Sequence, residues 1–523
     1  MGTVRNILFI MADQLRWDYL SYAGHPTLPT PNIDALAARG VNFNRTYCQS
    51  PICGPSRMSF YTGRYMFTHG STWNAVPLNV GEWTMGDYLR PLGLRTALVG
   101  KTHFVPDVEG MKRLGIDPKA SDGALLDQCG FEAFERDDGL HPTPIVDPNL
   151  AYNTYLRSKG YDSENPWHDF ANSAEGPDGE ILSGWHMRYA DLPARVAEEH
   201  SETPYMANRA MDFIRDAGED PWCMHLSFIK PHWPYVAPAP YHNMFGIDDI
   251  KPVVRSQEER GNPHPVIAAF MDQDETREFQ RDGVIAKVIP TYMGLVKQID
   301  DNIGRLMTFM EEQGRLDDTM IVFTSDHGDF LGDHWLGEKQ LFHDPSARIP
   351  MVIVDPDPAA DGTRGTVDER LVEAIDLLPT FIEVSGGKQV PHRLEGRSLM
   401  PLIRGGMVDE WRDIAFSEAD YAFLEAGKIL NVGAMGGHGF MALTVHWKYI
   451  FYENYRPQLF DVVNDADELH DLGESADHAD IRADLHERLF HWLRNRRTRI
   501  GIDDDTIVER AGMKPKGLTI GKW

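Results

Sequence analysis

The chain contains 523 residues and has a formal net charge of −28 at pH 7, which disfavours nucleic acids and anionic membranes as partners. Its hydrophobic fraction of 42% and charged fraction of 25% are typical of soluble globular proteins. The spacing of Cys48, Cys53, Cys129 and Cys223 is irregular, which excludes a disulfide scaffold and known zinc patterns. No signal sequence is evident and no apolar run approaches the ~20 residues of a membrane span, so we expect a cytoplasmic protein.

Short apolar runs along the chain predict strands buried on both faces of a sheet. They occupy residues 7–12, 95–100, 223–228, 319–324 and 350–354. Helical patterns lie between them, the clearest at residues 291–313, which Gly314 follows as a plausible end of the helix. The alternation predicts an α/β fold with a large, mostly parallel sheet between layers of helices.

Changes of pattern divide the chain into three parts. Residues 1–404 form the α/β domain, with insertions at about 105–200 and 251–285 that we expect to form long loops or lids over the active face. Residues 405–500 predict a smaller α+β C-terminal domain, and residues 501–523 an arm that packs on another subunit. We therefore expect a homo-oligomer.

Polar side chains follow four of the predicted strands. Ligands bind at the carboxyl ends of parallel strands, so we expect these side chains to converge there. Two of them, Asp13 and Asp326, are carboxylates that repel each other unless a cation lies between them. The converging residues are Asp13, Lys101, His103, His232, Asp326 and His327.

The segment from Cys53 to Arg57 predicts an anion site around a sulfur atom. Pro55 favours the first turn of a helix, which places Cys53 at a helix N-terminus, where negative charge is stabilised. Arg57 lies four residues beyond Cys53 and therefore on the same face of the helix. The alternative for these five residues alone is an ordinary buried thiol.

This segment resembles the signature of the type I sulfatases, which are part of the alkaline phosphatase superfamily. In that family the cysteine is oxidised to formylglycine, and the hydrated aldehyde supplies the nucleophilic oxygen. The resemblance implies an alkaline-phosphatase-like fold, a small anionic ester as substrate and a formylglycine-generating enzyme as partner. It also implies one divalent metal ion bound by Asp13, Asp326, His327 and the formylglycine made from Cys53.

Two positions depart from the common pattern of the family. Gln14 stands where many members have a second aspartate, and His327 stands where many have asparagine. An imidazole ligand suits manganese or zinc better than calcium. The Asp13 and His327 pair resembles the phosphonate monoester hydrolase and choline-sulfatase branches. We therefore expect Mn²⁺ or Ca²⁺, with Gln14 as a weak ligand or as a residue that supports the ligands.

The resemblance implies roles for three further residues near the nucleophile. Arg57 would orient and neutralise the formylglycine hydrate and the bound ester. The pair Lys101 and His103, which a strand-like backbone would place on one face, matches a Lys-x-His element of arylsulfatases. Lys101 would bind a non-bridging ester oxygen, and His103 would accept a proton from the formylglycine hydrate.

Weaker matches concern three residues that would contact substrate. His232 lies between Pro231 and Trp233-Pro234, and its alternative is simple loop packing. Lys339 resembles the lysine that contacts the leaving oxygen, although a solvated surface lysine is the ordinary alternative. Asn74 resembles a substrate-contacting asparagine of the phosphonate monoester hydrolases.

These residues predict a formylglycine-dependent sulfatase that hydrolyses aryl sulfates, with side activity on phosphonate monoesters and phosphodiesters. The first alternative is the reverse ranking, a phosphonate monoester or phosphodiester hydrolase with side activity on sulfates. Phosphonate monoester hydrolases typically lack the Lys-x-His element, and Lys101 and His103 therefore favour the sulfatase. The second alternative is a non-catalytic anion-binding protein with an unmodified Cys53.

Overall fold

The computed structural model describes residues 4–139, 150–513 and 517. Fifteen strands run through this part of the chain. They are β1 (Asn6–Asp13), β2 (Val41–Tyr47), β3 (Arg95–Gly100), β4 (Glu132–Arg136), β5 (Ser173–Glu175), β6 (Ile181–Ser183), β7 (Trp222–Pro231), β8 (Thr319–Ser325), β9 (Arg348–Ile349), β10 (Met351–Val354), β11 (Thr366–Glu373), β12 (Ile414–Asp420), β13 (His438–Thr444), β14 (Trp447–Tyr452) and β15 (Gln458–Asp461).

The same residues form eighteen α-helices, which flank the sheets or cross their ends. They are α1 (Pro31–Arg39), α2 (Cys53–Thr62), α3 (Met66–His69), α4 (Met85–Leu89), α5 (Val108–Leu114), α6 (Ser121–Leu126), α7 (Ala151–Ser158), α8 (Glu202–Ala217), α9 (Gln257–Gly261), α10 (Pro265–Met271), α11 (Asp274–Phe279), α12 (Asp282–Glu312), α13 (Asp344–Ala347), α14 (Leu377–Val384), α15 (Met400–Ile403), α16 (Glu425–Ile429), α17 (Ala479–Arg494) and α18 (Asp504–Arg510).

A nine-stranded, mostly parallel sheet forms the centre of the described chain. Its strand order is β11-β2-β10-β8-β1-β7-β3-β4, and β9 pairs with β2 beside this path. The central strand β1 runs parallel to both neighbours, β7 and β8, so their carboxyl ends meet at one edge. The expected α/β class is confirmed, and this edge is where the polar strand ends converge.

The last predicted strand lies in the sheet but runs in the opposite direction. β10 is antiparallel to both β8 and β2. A parallel partner usually follows a crossover helix, whereas the connection between β8 and β10 contains only a 3-10 turn at Asp333–Trp335, the one-turn helix α13 and the two-residue strand β9. An apolar run marks a buried strand without revealing its direction.

Side chains of β1 alternate between two apolar layers. Leu8 and Ile10 pack on one face with α8 and α12, whereas Ile7 and Phe9 pack on the other face with α2 and α14. All eight residues of β1 are buried. Burial on both faces explains why this strand reads as a continuous apolar run.

Helix α12 begins earlier than the sequence pattern predicts. The expected start at residue 291 follows Pro290, but the helix extends back to Asp282 and contains this proline. Its apolar face continues through Ile285, Val288 and Ile289, which are buried. Packing of this face therefore outweighs the backbone hydrogen bond that proline cannot make.

The two predicted insertions contain more regular structure than expected. Residues 251–285 include α9, α10 and α11, and residues 105–200 include β4, which pairs in parallel with β3 at the edge of the main sheet. β4 has the sequence Glu-Ala-Phe-Glu-Arg and is only partly buried, so it lacks the apolar signature of a central strand. Residues 140–149 of the first insertion lie outside the described part.

A second, antiparallel sheet forms the core of the C-terminal region. Its strand order is β12-β13-β14-β15, with α17 packed on one face through Leu485 and Leu489. The expected combination of strands and helices in the C-terminal region is therefore present. Helix α18 lies within the predicted arm at 501–523, of which residues 514–516 and 518–523 fall outside the described part. Among the described helices, none is both long and apolar enough to cross a membrane.

Candidate active site

Helix α2 begins at Cys53 and presents its N-terminus to the carboxyl ends of β1 and β8. All ten residues of this helix are buried, and Pro55 lies in its first turn, as predicted. The Gly54 N–H donates to Asn74 Oδ1 at 2.8 Å, and the Ser56 hydroxyl donates to the Asp326 carbonyl at 2.6 Å. These two bonds fix the start of the helix against the loop after β8.

Four side chains at this point lie close enough to bind one metal ion. The ligand atoms of Asp13, Cys53, Asp326 and His327 all lie within 4.8 Å of one another. His327 Nε2 is 3.2 Å from Cys53 Sγ and 3.9 Å from Asp13 Oδ1. All four residues are 0% exposed. The structure therefore brings together the four residues that the sequence suggested as ligands.

The chemistry of this donor set fits a divalent cation. His327 Nδ1 pairs with the Gly328 carbonyl at 2.8 Å, which leaves the Nε2 lone pair facing the two carboxylates. Burial and the negative Asp13 raise the pKa of Asp326, so the charged form of this carboxyl is disfavoured. Residue 53 is an unmodified, buried cysteine in this structure. A bound cation would relieve the repulsion between the carboxylates.

Arg57 pairs with both carboxylates of this cluster and does not face the cavity. Its Nε donates to Asp326 Oδ2 at 2.9 Å, and Nη2 donates to Asp13 Oδ2 at 3.2 Å. Its Nη1 donates to the Lys101 carbonyl and the Ser227 hydroxyl. The side chain is fully buried and does not line the cavity described below. In this structure Arg57 therefore holds the two carboxylates in place, and its role toward a bound ester stays a prediction.

Lys101 and His103 both face the site, but the predicted strand-like face is wrong. β3 ends at Gly100, and His103 has a left-handed φ of 54°. Asp138 holds this turn by accepting from the backbone N–H groups of Thr102 and His103 at 2.8 and 2.7 Å. Lys101 Nζ lies 2.5 Å from Asp13 Oδ2. His103 Nδ1 has no hydrogen-bond partner among the described residues.

Lys339 is buried beside the sulfur rather than solvated. Its Nζ lies 3.3 Å from Cys53 Sγ, 2.7 Å from Gln14 Oε1 and 3.0 Å from His232 Nε2. The Gln14 amide group is hydrogen-bonded on both sides, because Nε2 donates to Asp329 Oδ2 at 2.5 Å. Through these bonds the Gln14 amide links Lys339 to Asp329.

The charges around Cys53 favour an anion at this position. Although burial raises the pKa of the Cys53 thiol, Lys101, Lys339 and His327 hold it well below its usual value. Burial, Lys339 and Lys101 lower the pKa of His232 to about 3, so its imidazole is neutral and accepts the bond from Lys339. The site thus concentrates positive charge in a strongly acidic protein.

A cavity of about 500 Å³ opens above these residues. Lys101, His103, His232, Lys339 and Asn74 line it, as the sequence suggested, together with residues from both insertions. Asn74 lines the cavity, and its Oδ1 also accepts the hydrogen bond from the Gly54 N–H. The C-terminal region also contributes, which the sequence gave no reason to expect. These additional lining residues are Phe423, Leu424 and Glu425.

Sequence reasoning also missed two acidic residues that support the site. Asp329 accepts hydrogen bonds from Gln14 and from the Tyr235 hydroxyl, and Asp138 holds the turn at His103. Asp329 stands three residues after Asp326, and this acidic repeat was the available signal. No comparable sequence pattern marked Asp138, because the strand before it, β4, is short, polar and at the edge of the sheet.

The fold and site define a sulfuric ester hydrolase of the sulfatase type. A family model described as Sulfatase matches residues 5–387. A second, described as N-sulphoglucosamine sulphohydrolase, C-terminal, matches residues 332–495. The chain therefore belongs to the sulfatase family, and the resemblance of the Cys53 segment is confirmed.

Relatives of several activities are similar over nearly the whole chain. The multifunctional alkaline phosphatase superfamily protein PehA of Trinickia caryophylli is 29% identical, with 99% of each chain covered. The choline-sulfatase of Rhizobium meliloti is 30% identical over 93% of this chain and 86% of the relative. The phosphonate monoester hydrolase of Agrobacterium radiobacter superposes with a TM-score of 0.80 at 28% identity, covering 94% and 95%.

Gly328 offers a test of how tightly the ligand loop is packed. A Cβ at this position would lie 2.0 Å from the Pro345 carbonyl oxygen, so the close approach of two loops, rather than a left-handed turn, requires glycine. We expect Gly328→Ala to lower the free energy of unfolding by about 1–3 kcal/mol in a urea titration. Gly362→Ala, where a Cβ meets nothing within 4 Å, is the matched control. Equal stability of both variants would contradict the packing argument.

Proposed function

We propose that this protein hydrolyses sulfate monoesters, above all aryl sulfates, with a formylglycine made from Cys53 and one divalent ion, Mn²⁺ or Ca²⁺. Asp13, Asp326 and His327 would hold the ion together with the residue at position 53. The observation that carries the proposal is the position of Cys53 Sγ. It lies within 3.2–3.6 Å of His327, Lys339 and Asp13 beneath an open cavity.

Formylglycine and the divalent ion would supply two kinds of chemistry. Formylglycine provides, in its hydrated form, an oxygen nucleophile in place of the sulfur. When bound, a divalent ion lowers the pKa of a coordinated hydroxyl and polarises the ester. The chain's own residues then have to bind the ester, stabilise the charge on its oxygens and accept a proton.

Lys101 and Lys339 are placed to bind the oxygens of the ester. Both are at least 95% buried and line the floor of the cavity beside Cys53. In such a site a fixed cation stabilises developing negative charge without reorganisation of solvent. We propose that Lys101 binds a non-bridging oxygen and that Lys339, with His232, acts at the leaving oxygen.

His103 is placed to accept the proton that formylglycine chemistry requires. It lines the same cavity and lies close enough to Cys53 to favour the thiolate. Its Nδ1 has no partner within the described chain, so the imidazole is not committed to a structural hydrogen bond there. We propose His103 as the general base and Arg57 as the residue that positions the carboxylates.

Phosphonate monoesters and phosphodiesters are proposed as side substrates. Like sulfate monoesters, they carry about one negative charge when bound, and the floor of the cavity provides the same cations for all three. The alternative is an enzyme that prefers phosphonate monoesters or phosphodiesters to sulfates, and the similarity to a phosphonate monoester hydrolase at a TM-score of 0.80 supports it. Lys101 and His103, in contact range of the nucleophile, support the sulfatase ranking.

The assembly and surroundings of the enzyme form part of the same proposal. Residues 1–404 would act as the catalytic domain, residues 405–500 as the smaller C-terminal domain, and residues 501–523 as an arm between subunits of a homo-oligomer. A formylglycine-generating enzyme would modify Cys53 in the cytoplasm. An unmodified anion-binding protein is the remaining alternative, but binding alone does not require an uncommitted base such as His103.

The oxidation state of Cys53 tests the proposal directly. We expect the tryptic peptide with residue 53 to have the mass of formylglycine when the protein is produced with a formylglycine-generating enzyme. Cys53→Ala should lower kcat/KM for 4-nitrophenyl sulfate by about 10⁴-fold or more, because the nucleophile is lost. Cys129→Ala, which removes a buried thiol that does not line the cavity, is the control. Full activity with an intact thiol would contradict the proposal.

Metal analysis tests the proposed ligands without an activity measurement. We expect about one divalent ion per chain by mass spectrometry of the purified protein, and about tenfold or more weaker binding in Asp326→Asn, because a carboxylate ligand is lost. Asp484→Asn removes an exposed carboxylate of α17 and should leave the metal content unchanged. Undiminished metal in Asp326→Asn would exclude this ligand set.

Two model esters separate the sulfatase from its alternative. We expect kcat/KM for 4-nitrophenyl sulfate to exceed that for phenyl 4-nitrophenyl phosphonate by about tenfold or more. The reason is that the Lys101 and His103 pair matches the Lys-x-His element of arylsulfatases. The two esters share a leaving group, so the ratio reports the transferred group. The reverse ratio would identify the phosphonate ester as the better substrate.

A further inference from the structure

The cavity above Cys53 has a positive floor and a negative mouth. Lys101 and Lys339 lie at the floor and are 3% and 5% exposed. Glu275 of α11 and Glu425 of α16 line the same cavity and are exposed to solvent. The two ends of the cavity therefore attract opposite charges.

The carboxylates at the mouth differ in whether the protein neutralises them. Asp274 lies 3.0 Å from Arg277 Nη1, and Asp138 pairs with Arg136 at 2.8 Å. Glu275 and Glu425 have no ion-pair or hydrogen-bond partner among residues 4–139, 150–513 and 517. Their charges are free to act on a molecule that enters the cavity.

Glu338 adds a carboxylate deeper in the cavity wall. It is 8% exposed, and the nearest cation is Lys339 Nζ at 3.7 Å, which also contacts Cys53 and Gln14. Burial, together with negative Asp329 and Glu275, raises the pKa of Glu338 to about 8 despite Lys339. A further positive charge nearby would stabilise the ionised carboxylate.

Aromatic side chains line the same cavity as these carboxylates. The rings of Trp73 and Phe423 stack with centroids 5.6 Å apart and an interplanar angle of 6°, and Phe423 is 53% exposed. Trp185 and Trp233 meet edge to face at 4.5 Å. All four residues line the cavity. Aromatic faces beside carboxylates attract organic cations, including quaternary ammonium groups.

We propose that the preferred substrates carry an amine or quaternary ammonium cation on the alcohol part of the sulfate ester. The sulfuryl group binds at the floor between Lys101 and Lys339. The cation lies above this group in the same cavity, with Glu338 on its inner side and Glu275 and the aromatic pair of Trp73 and Phe423 toward the mouth. This specificity rests on the proposed sulfatase function and names the class of ester that the site selects.

A pair of esters that differ in charge tests this specificity. Tyramine O-sulfate carries an ammonium group, and 4-ethylphenyl sulfate lacks it with nearly the same shape. We expect kcat/KM for the charged ester to be about tenfold higher, because the carboxylates and aromatic rings stabilise the cation. The sulfate ester of 3-(4-hydroxyphenyl)propionate, which places a carboxylate at the mouth, should be the poorest substrate.

Substitutions identify the groups that provide the preference. We expect Glu275→Gln, Glu338→Gln and Phe423→Ala each to reduce the ratio of the two kcat/KM values, since the ratio removes losses common to both esters. Glu278→Gln is the matched control, because it removes the same charge from α11 outside the cavity, where Glu278 pairs with Arg281. The ratio in the control should equal that of the wild type.

The outcomes separate this inference from the proposed function. Equal kcat/KM for the charged and neutral esters in the wild type would overturn the inference and leave the sulfatase function intact. Hydrolysis of neither ester by formylglycine-containing protein would overturn the function. In that case, calorimetry of both esters binding to the Cys53→Ala variant tests the inference separately. About tenfold tighter binding of tyramine O-sulfate than of 4-ethylphenyl sulfate would support it, and equal binding would overturn it.

Discussion

The site depends on two buried carboxylates that one guanidinium group holds close together. Asp13 ends β1, Asp326 follows β8, and Arg57 donates to both from the second turn of α2. All three side chains are 0% exposed, so the charges are removed from water. Such a cluster is stable only when hydrogen bonds and opposite charges compensate for desolvation. This requirement connects the two central strands to the helix that presents Cys53.

The same constraint explains why cations surround the sulfur in a protein of strongly negative net charge. Arg57 and Lys101 both pair with Asp13, whereas Lys339 contacts Cys53 directly. The pKa of Asp326 is raised, because burial and the negative Asp13 disfavour the charged form of this carboxyl. A metal ion held by the four predicted ligands would place a positive charge beside Asp13 and Asp326 and would reduce the repulsion between the two carboxylates.

The sequence predicted the parts of the fold that local patterns encode. The bounds of β3 agree with the apolar run at residues 95–100, and the ends of β1, β3, β7 and β8 identified the site, because parallel strands bring distant residues to one edge. The antiparallel direction of β10, the partners of Arg57 and the place of Phe423 could not be predicted. Each depends on contacts between segments far apart in the chain, which periodicity does not record.

The residues proposed for the reaction and those proposed for substrate choice come from different kinds of structure. Asp13, Asp326 and Cys53 lie at strand ends or a helix start, where a small displacement would disturb the main sheet. Trp185 and Phe423 instead lie in loops from two regions that meet above the site. Loops can change with little effect on the core, so one charged floor can serve esters with different alcohols. The proposed chemistry therefore rests on the family pattern, and the proposed choice of substrate rests on the mouth of this chain's own cavity.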